Sequence, residues 1–314
     1  MKRVLASICA AALALSLAAC SSTPSSSESS SAAEESSSAA STTEESSAAS
    51  DESTGASGSI TVVTREDGSG TRSAFIELTG VETDEGDMTI ATAQVANSTN
   101  NVMTSVQAEP SAIGYISMGS LNETVKGIAV DGVEPTTDNV KAGTYPISRP
   151  FNIVTKGDIS AQDELTQDFV NWVMSADGQA ICTEEGYIGD DAAEAYTSTQ
   201  PSGSLAVGGS SSVSPVMEKL IETYMADVNP NASIDLQTTD STNGVTGALD
   251  GTYQVGMASR AISDDEASQG AVSTQLAMDG IAVIVNTENA VSNISMDSLR
   301  GIYTGEVTDW ADVQ

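Results

Sequence analysis

Short β-branched runs alternate with helical patterns along this chain, and that alternation constrains its fold more than any other feature. Ile60 to Thr64 is a β-branched run that ends at the turn Asp67-Gly68-Ser69-Gly70-Thr71. Ala112 to Ile116 and Gly127 to Val130 read as further strands, the second leading into the turn Asp131-Gly132, and Phe151 to Thr155 is another. Leu165, Phe169, Trp172 and Val173 then fall at helical spacing, with Gly178 as the expected stop. The segment 190–204 is a polar connector. A second section of the same kind starts at Leu205. Pro215 sits where a first helical turn tolerates proline, and Met217, Leu220, Ile221 and Tyr224 mark an apolar helix face. Ser233 to Leu236 alternates like a strand, Ser263 to Glu266 fits a capping box, and Gly280 to Val285 reads as a buried strand. The pattern predicts an α/β architecture.

What precedes residue 59 has a different character. Lys2 and Arg3 are followed by an apolar stretch and then by Leu17-Ala18-Ala19-Cys20. This is the form of a secretory signal over 1–19, and the ending is that of a lipoprotein signal, in which Cys20 carries the lipid. Residues 20–58 are then an acylated cysteine and a Ser, Ala, Thr and Glu tether. So few large apolar side chains cannot offset ordering entropy, so the tether is expected to be disordered. About 255 residues remain to fold, enough for two modest lobes.

The chain has a formal charge of −33 and contains no histidine. Lack of histidine removes Ser-His-Asp and Cys-His catalysis and most zinc sites, so an enzyme is the least expected class, and no cofactor or metal is implied. With Cys9 in the signal and Cys20 at the anchor, Cys182 has no disulfide partner.

Three turns share one chemistry. Asp67-Gly68-Ser69-Gly70-Thr71, Gly208 to Pro215 and Asp240-Ser241-Thr242-Asn243-Gly244 each join a strand to a helix start through glycine and hydroxyl side chains. A helix N-terminus offers unpaired N–H groups and the positive end of its dipole, and glycine lets a ligand approach the backbone. Each turn alone also reads as an ordinary N-cap. Three together, with Arg65 and Arg260 nearby, point to a shared oxyanion site.

The motifs T-R-E-D-G-S-G-T-R-S-A-F, A-I-G-Y-I-S-M-G, Y-P-I-S-R-P-F, G-S-S-S-V-S-P-V-M, V-G-M-A-S-R and I-Y-T-G-E-V-T-D-W resemble the phosphate-binding proteins of bacterial phosphate ABC transporters, over nearly all of 60–314. The resemblance implies a two-lobed, type II periplasmic-binding-protein fold closing over inorganic phosphate. The protein would be a monomer that serves transmembrane permease subunits from the extracellular face of the cytoplasmic membrane, with no nucleic-acid partner. It implies that Arg65 ion-pairs with phosphate and is held by Asp67. Ser69, Gly70 and Thr71 would donate from a helix start. Ser211 would give its hydroxyl, Ser212 its backbone N–H, and Ser241 would donate from its own turn.

Two departures qualify the resemblance. After Ser259, where many family members carry an aspartate that accepts the phosphate proton, stands Arg260. Both a ligand contact and a structural ion pair with a buried acid remain open for it, and other tetrahedral oxyanions such as sulfate or molybdate remain in play. A surface sensor or adhesion role is the reading from outside transport. The motif order is also exchanged: in the family the section like 205–314 comes first. The expectation is a circular permutant, cut at an interlobe crossing, with 59–145 as one lobe and 146–314 as the other; the alternative is a fragment of a longer protein. A permutant would bring Gln314 close to Ile60 and keep a single crossing near Tyr145 to Pro150.

Overall fold

The computed structural model describes residues 58–313; the expected signal, Cys20 and the tether up to 57 lie outside the described residues, as does Gln314. The elements in chain order are β1 (Thr61–Arg65), α1 (Gly70–Thr79), β2 (Gln94–Ala96), α2 (Thr99–Ala108), β3 (Ala112–Ser117), β4 (Lys126–Val130), β5 (Ser148–Lys156), α3 (Glu164–Val173), α4 (Ala176–Glu184), β6 (Gly203–Ser210), α5 (Ser214–Thr223), β7 (Ala232–Thr239), α6 (Ser241–Asp250), β8 (Val255–Ala258), β9 (Ala271–Val285) and α7 (Met296–Thr304), with shorter turns of helix and strand between them.

Two cores define two lobes. The first gathers residues from Val62 to Ile147 and again from Ile281 to Trp310. The second is built from Phe151 to Ala277. This corrects the division expected at residue 145: the last segment returns to the first lobe. Its cause is β9, whose 15 residues serve both sheets. Its polar first half, Ala271 to Gly280, pairs antiparallel with β5 in the second lobe, and its apolar end, Ile281 to Val285, pairs with β3 in the first.

The sheet orders are alike. In the first lobe β1 lies between β2 and β3, parallel to both, and the end of β9 and then β4 follow antiparallel to β3 and to each other in turn. In the second lobe β6 lies between β7 and β8, parallel to both, with β5 antiparallel to β8 and the start of β9 beyond it. In each lobe the chain leaves the first strand, crosses by a helix to one side and returns by a helix to the other. The carboxyl ends of β1 and β6 are therefore switch points, where ligands sit in open α/β sheets.

The lobes are joined twice, at Ile147-Ser148 entering β5 and at Asp279-Gly280 within β9, where Ser148 and Gly280 are register partners. The single crossing expected near Tyr145 to Pro150 is thus one of a pair. The end of the described chain lies against its start, as expected. Ile60 donates its N–H to the Thr308 carbonyl at 2.9 Å, and Trp310 donates to the Gly58 carbonyl at 2.9 Å.

Local sequence accounts for most boundaries. β1 is a β-branched run that suits a pleated, buried position. Pro215 stands in the first turn of α5, and Ser263 and Glu266 form the expected capping box. Gly178 is not a stop. It lies inside α4, where a Cβ would stand 2.3 Å from the Val173 carbonyl oxygen, so its missing side chain lets α4 pack onto the end of α3. Cys182 is buried in the second core, and that burial pushes its thiol up to about 12, away from reactivity. Among the described residues, no helix is long and apolar enough to cross a membrane.

The polar connector is strapped down by one carboxylate. Asp168 on α3, 2 % exposed, accepts hydrogen bonds from Tyr196 Oη, Ser198 Oγ, Thr199 N and Oγ1, and Tyr224 Oη at 2.5–3.0 Å. Burial alone would raise its pKa, but the donors, Ser198 and Tyr224 foremost, outweigh it and hold it below the usual carboxylate value. Replacing Asp168 with Ala leaves the buried Tyr224 hydroxyl and the less buried donors of the connector without their shared acceptor, and is expected to cost on the order of 3 kcal/mol by urea denaturation at neutral pH. Because the folded pKa is depressed, the stabilisation is present above the ordinary carboxylate pKa and is lost as pH falls through the folded value. The gap between parent and Asp168→Ala should therefore narrow below about pH 4.

Candidate functional site

At the end of β1 the side chain of Arg65 turns inward and is 2 % exposed. Its neighbours fix it closely. The Tyr115 hydroxyl accepts the Arg65 N–H at 3.2 Å and meets the Thr64 hydroxyl at 2.8 Å. Glu66 takes one edge of the guanidinium, Oε2 from Nε and Oε1 from Nη2, both at 2.7 Å. Nη2 also donates to Ser211 Oγ across the cleft at 3.1 Å. Nη1 is buried and has no hydrogen-bond partner among the described residues. A buried cationic donor without an acceptor is costly, which makes this nitrogen a candidate contact for an anion.

Asp67 does not hold Arg65. Its side chain is 99 % exposed and pairs with Arg72 Nη1 at 2.9 Å, and Arg72 in turn bonds the Arg65 carbonyl at 2.9 Å. The physical reason is that β1 ends at Arg65, so the chain turns directly after it and strand alternation no longer applies. Glu66, one residue nearer the strand, is placed to meet the guanidinium edge, whereas Asp67 lies out on the turn.

The three turns converge as expected. Ser69 caps α1, and its hydroxyl accepts the Arg72 N–H. Gly70 and Thr71 open the helix, where the first N–H groups have no intrahelical acceptor. Thr71 Oγ1 meets Ser212 Oγ at 2.9 Å. Ser241 Oγ accepts the Ser259 N–H at 2.9 Å and lies 3.2 Å from Ser259 Oγ, which also receives the Ser210 hydroxyl at 2.9 Å. The Ser212 N–H, expected to face a ligand, bonds Ser210 Oγ at 3.3 Å. Ser210 stands two residues before Ser212 and holds its amide. The lobes also meet at Gly68, whose carbonyl accepts the Thr242 N–H at 3.1 Å.

Arg260 stands apart. Its guanidinium grips Glu266 in a two-point pair, Nη2 to Oε1 at 2.7 Å and Nη1 to Oε2 at 2.8 Å, and reaches the cleft side at Thr242 Oγ1, 3.4 Å away. Arg260 holds the Glu266 carboxyl below its usual pKa, with the Ser263 amide assisting against burial. Of the two roles left open for Arg260, the geometry gives the ion pair. Glu266 is its partner because the capping box fixes that carboxylate at the helix start.

The sequence reading missed Thr99. It opens α2, is 3 % exposed, and its hydroxyl lies 3.2 Å from Ser212 Oγ. The signal was present: Ser98-Thr99-Asn100 repeats the Ser241-Thr242-Asn243 of the third turn. A buried pair, Arg149 and Asp279, also went unread; Asp279 Oδ2 accepts from Arg149 Nη2 at 3.1 Å. Among the described residues no group of acidic or cysteine side chains is placed to hold a metal ion. The assembled chemistry is a buried guanidinium with neutral hydroxyl donors from both lobes, able to surround a small oxyanion.

Two α/β lobes closed over such a cleft define the periplasmic-binding-protein class, and the model of the PBP superfamily domain matches residues 32–177 and 194–314. Phosphate-binding protein PstS 2 of Streptococcus agalactiae serotype V is 46 % identical over 266 residues, spanning 83 % of this chain and 90 % of that protein. The crystal structure of a phosphate ABC transporter, phosphate-binding protein from Streptococcus pneumoniae superposes with a TM-score of 0.66 at 41 % identity, covering 82 % of this chain and all of that one. Phosphate-binding protein PstS of Bacillus subtilis matches over a shorter span, 36 % identical over 141 residues and 44 % of each chain. The chain belongs to the PstS family of phosphate-binding proteins.

Gly70 gives the closure its test. A Cβ there would stand 2.3 Å from Ser241 Oγ and 2.8 Å from Ser259 Oγ. Gly70→Ala is expected to hold the lobes apart at this contact and to weaken oxyanion binding by about tenfold or more, roughly 1.4 kcal/mol, measured by calorimetric titration.

Proposed function

We propose that this protein is an extracellular receptor that binds inorganic phosphate between its lobes and delivers it to the permease of an ABC transporter. One observation carries the reading: the unpaired Nη1 of buried Arg65, surrounded by hydroxyls from both lobes. The names of its relatives specify the anion. Arg65, Ser69, Gly70, Thr71, Ser211, Ser212, Ser241 and Ser259 are the residues assigned to the ligand, joined by Thr99. Asp67 and Arg260 act at a distance, through Arg72 and Glu266. The function is binding and release without covalent chemistry.

With Arg260 paired to Glu266, no aspartate after Ser259 is available to take a proton from hydrogen phosphate. Serine and threonine hydroxyls accept as well as donate, so the surrounding ring can meet a protonated oxygen, whereas sulfate presents none. Calorimetric titration with phosphate, sulfate and molybdate should give one-to-one phosphate binding and weaker binding of the other two. Arg65→Ala should lose on the order of 3–5 kcal/mol, the effect of leaving a buried charge without its partner. Equal phosphate affinity in parent and variant would remove the site; tighter sulfate binding would change the substrate.

Cys20 is assigned as the lipid attachment point that holds the receptor at the outer face of the membrane, supported by the Leu17-Ala18-Ala19-Cys20 sequence. Cys20→Ser should move the protein from the membrane fraction to the medium; retention in the membrane would contradict it. The exchanged motif order is read as a circular permutation; its junction, expected at an interlobe crossing, falls instead inside the first lobe, since Ile60 and Trp310 both pack in that core. The pairing of 58–60 with 308–310 supports this, as does the half-length match to the Bacillus subtilis protein. Against the Bacillus subtilis protein a linear alignment follows one of the two sections, whereas the Streptococcus agalactiae protein aligns through both in the order found here.

A further inference from the structure

The two strands that join the lobes carry opposite charges at one register position. Arg149 on β5 is the partner of Asp279 on β9, one pair before the crossing pair Ser148 and Gly280. Both side chains are buried, at 1 % and 0 % exposure. Arg149 donates from Nη2 and Nε to Asp279 Oδ2 at 3.1 and 3.3 Å. Its remaining arm, Nη1, donates to the Ser259 carbonyl at 3.1 Å. Asp279 Oδ1 accepts the Ser117 hydroxyl at 2.9 Å.

These contacts form one polar chain through the hinge. Ser117 ends β3 in the first lobe, two residues beyond Tyr115, which braces Arg65. Ser259 follows β8 in the second lobe, and its N–H and hydroxyl fix the hydroxyls of Ser241 and Ser210. A buried ion pair is seldom more stabilising than an apolar pair of equal volume, so its value lies in fixed geometry. Burial pushes the Asp279 carboxyl up to about 6 even with Arg149 beside it, a measure of how little solvent reaches the pair.

We propose that Arg149 and Asp279 are positioning residues for ligand binding: they set the angle at which the lobes meet and hold Ser259, and through it Ser241 and Ser210, in place for the anion. The ligand readout of this inference rests on the phosphate reading given above; the hinge readout does not.

The test compares the full chain with Asp279→Asn and with the double variant Arg149→Met/Asp279→Leu, which removes both charges and keeps volume so that folding is preserved. Phosphate affinity and release rate are measured by titration and stopped flow, stability by thermal unfolding, and amide hydrogen exchange at Ser259 without ligand. Positioning predicts about tenfold weaker phosphate binding with faster release in both variants, and faster exchange at Ser259, even where the double variant melts at the parental temperature. A role in stability alone would lower the melting temperature and leave affinity and Ser259 exchange in the folded protein unchanged, which overturns the proposal. Parental affinity and exchange in the double variant overturn it equally. If the parent itself fails to bind phosphate, the functional reading falls, and unchanged or faster exchange at Ser259 still decides the hinge role.

Discussion

A guanidinium enclosed at the end of a strand, with two of its nitrogens occupied and the third unpaired, is the constraint around which this molecule is arranged. Burying a charge is costly, and Glu66 answers part of that cost along the Nε and Nη2 edge. The carboxylate takes one edge and leaves Nη1 directed away from it. The rest of the cleft supplies neutral donors: hydroxyls, and amide groups at helix starts placed by the switch points of both sheets. Neutral donors suit such a site because they turn to fit an anion without adding charges that would need partners of their own.

This arrangement also resolves the contrast between a net charge of −33 and an anion site. Exposed carboxylates act through solvent and are screened over roughly 8–10 Å at physiological salt. Nη1 and the helix termini act at contact distance in a buried setting, where the same charge counts for more. Of the acids around the cleft, Glu66 is engaged by Arg65, Asp67 by Arg72, Glu266 by Arg260 and Asp279 by Arg149, while Asp240 caps α6 by accepting the Asn243 N–H. Local pairing leaves the cleft itself free to favour an anion.

Much of this was legible in the residues. The turns at 67–71, 208–215 and 240–244 were legible as a set: each alone reads as an ordinary N-cap, and three of one kind pointed to a shared site. What failed was reach. Asp67 was assigned to Arg65 by the resemblance, yet the chain turns directly after Arg65, where β1 ends, and the contact goes to Glu66 while Asp67 pairs with Arg72. Arg260 was left open because its partner, Glu266, is set by a capping box whose position in space the sequence does not declare. The lobe boundary was misplaced because β9 changes lobes in mid-strand, and its polar first half carries no sign that it continues into an apolar run. Thr99 was missed although Ser98-Thr99-Asn100 repeats a turn that had been recognised. Arg149 and Asp279 lie 130 positions apart and meet through strand register alone.

The most direct test of the central claim is a crystal structure of the protein with phosphate bound. The account predicts the anion between the lobes, with one oxygen accepting from Arg65 Nη1 at about 2.8 Å and others meeting hydroxyls of the 69–71, 211–212 and 241 turns. Phosphate bound elsewhere, or bound in the cleft with Arg65 Nη1 still unpaired, would contradict it.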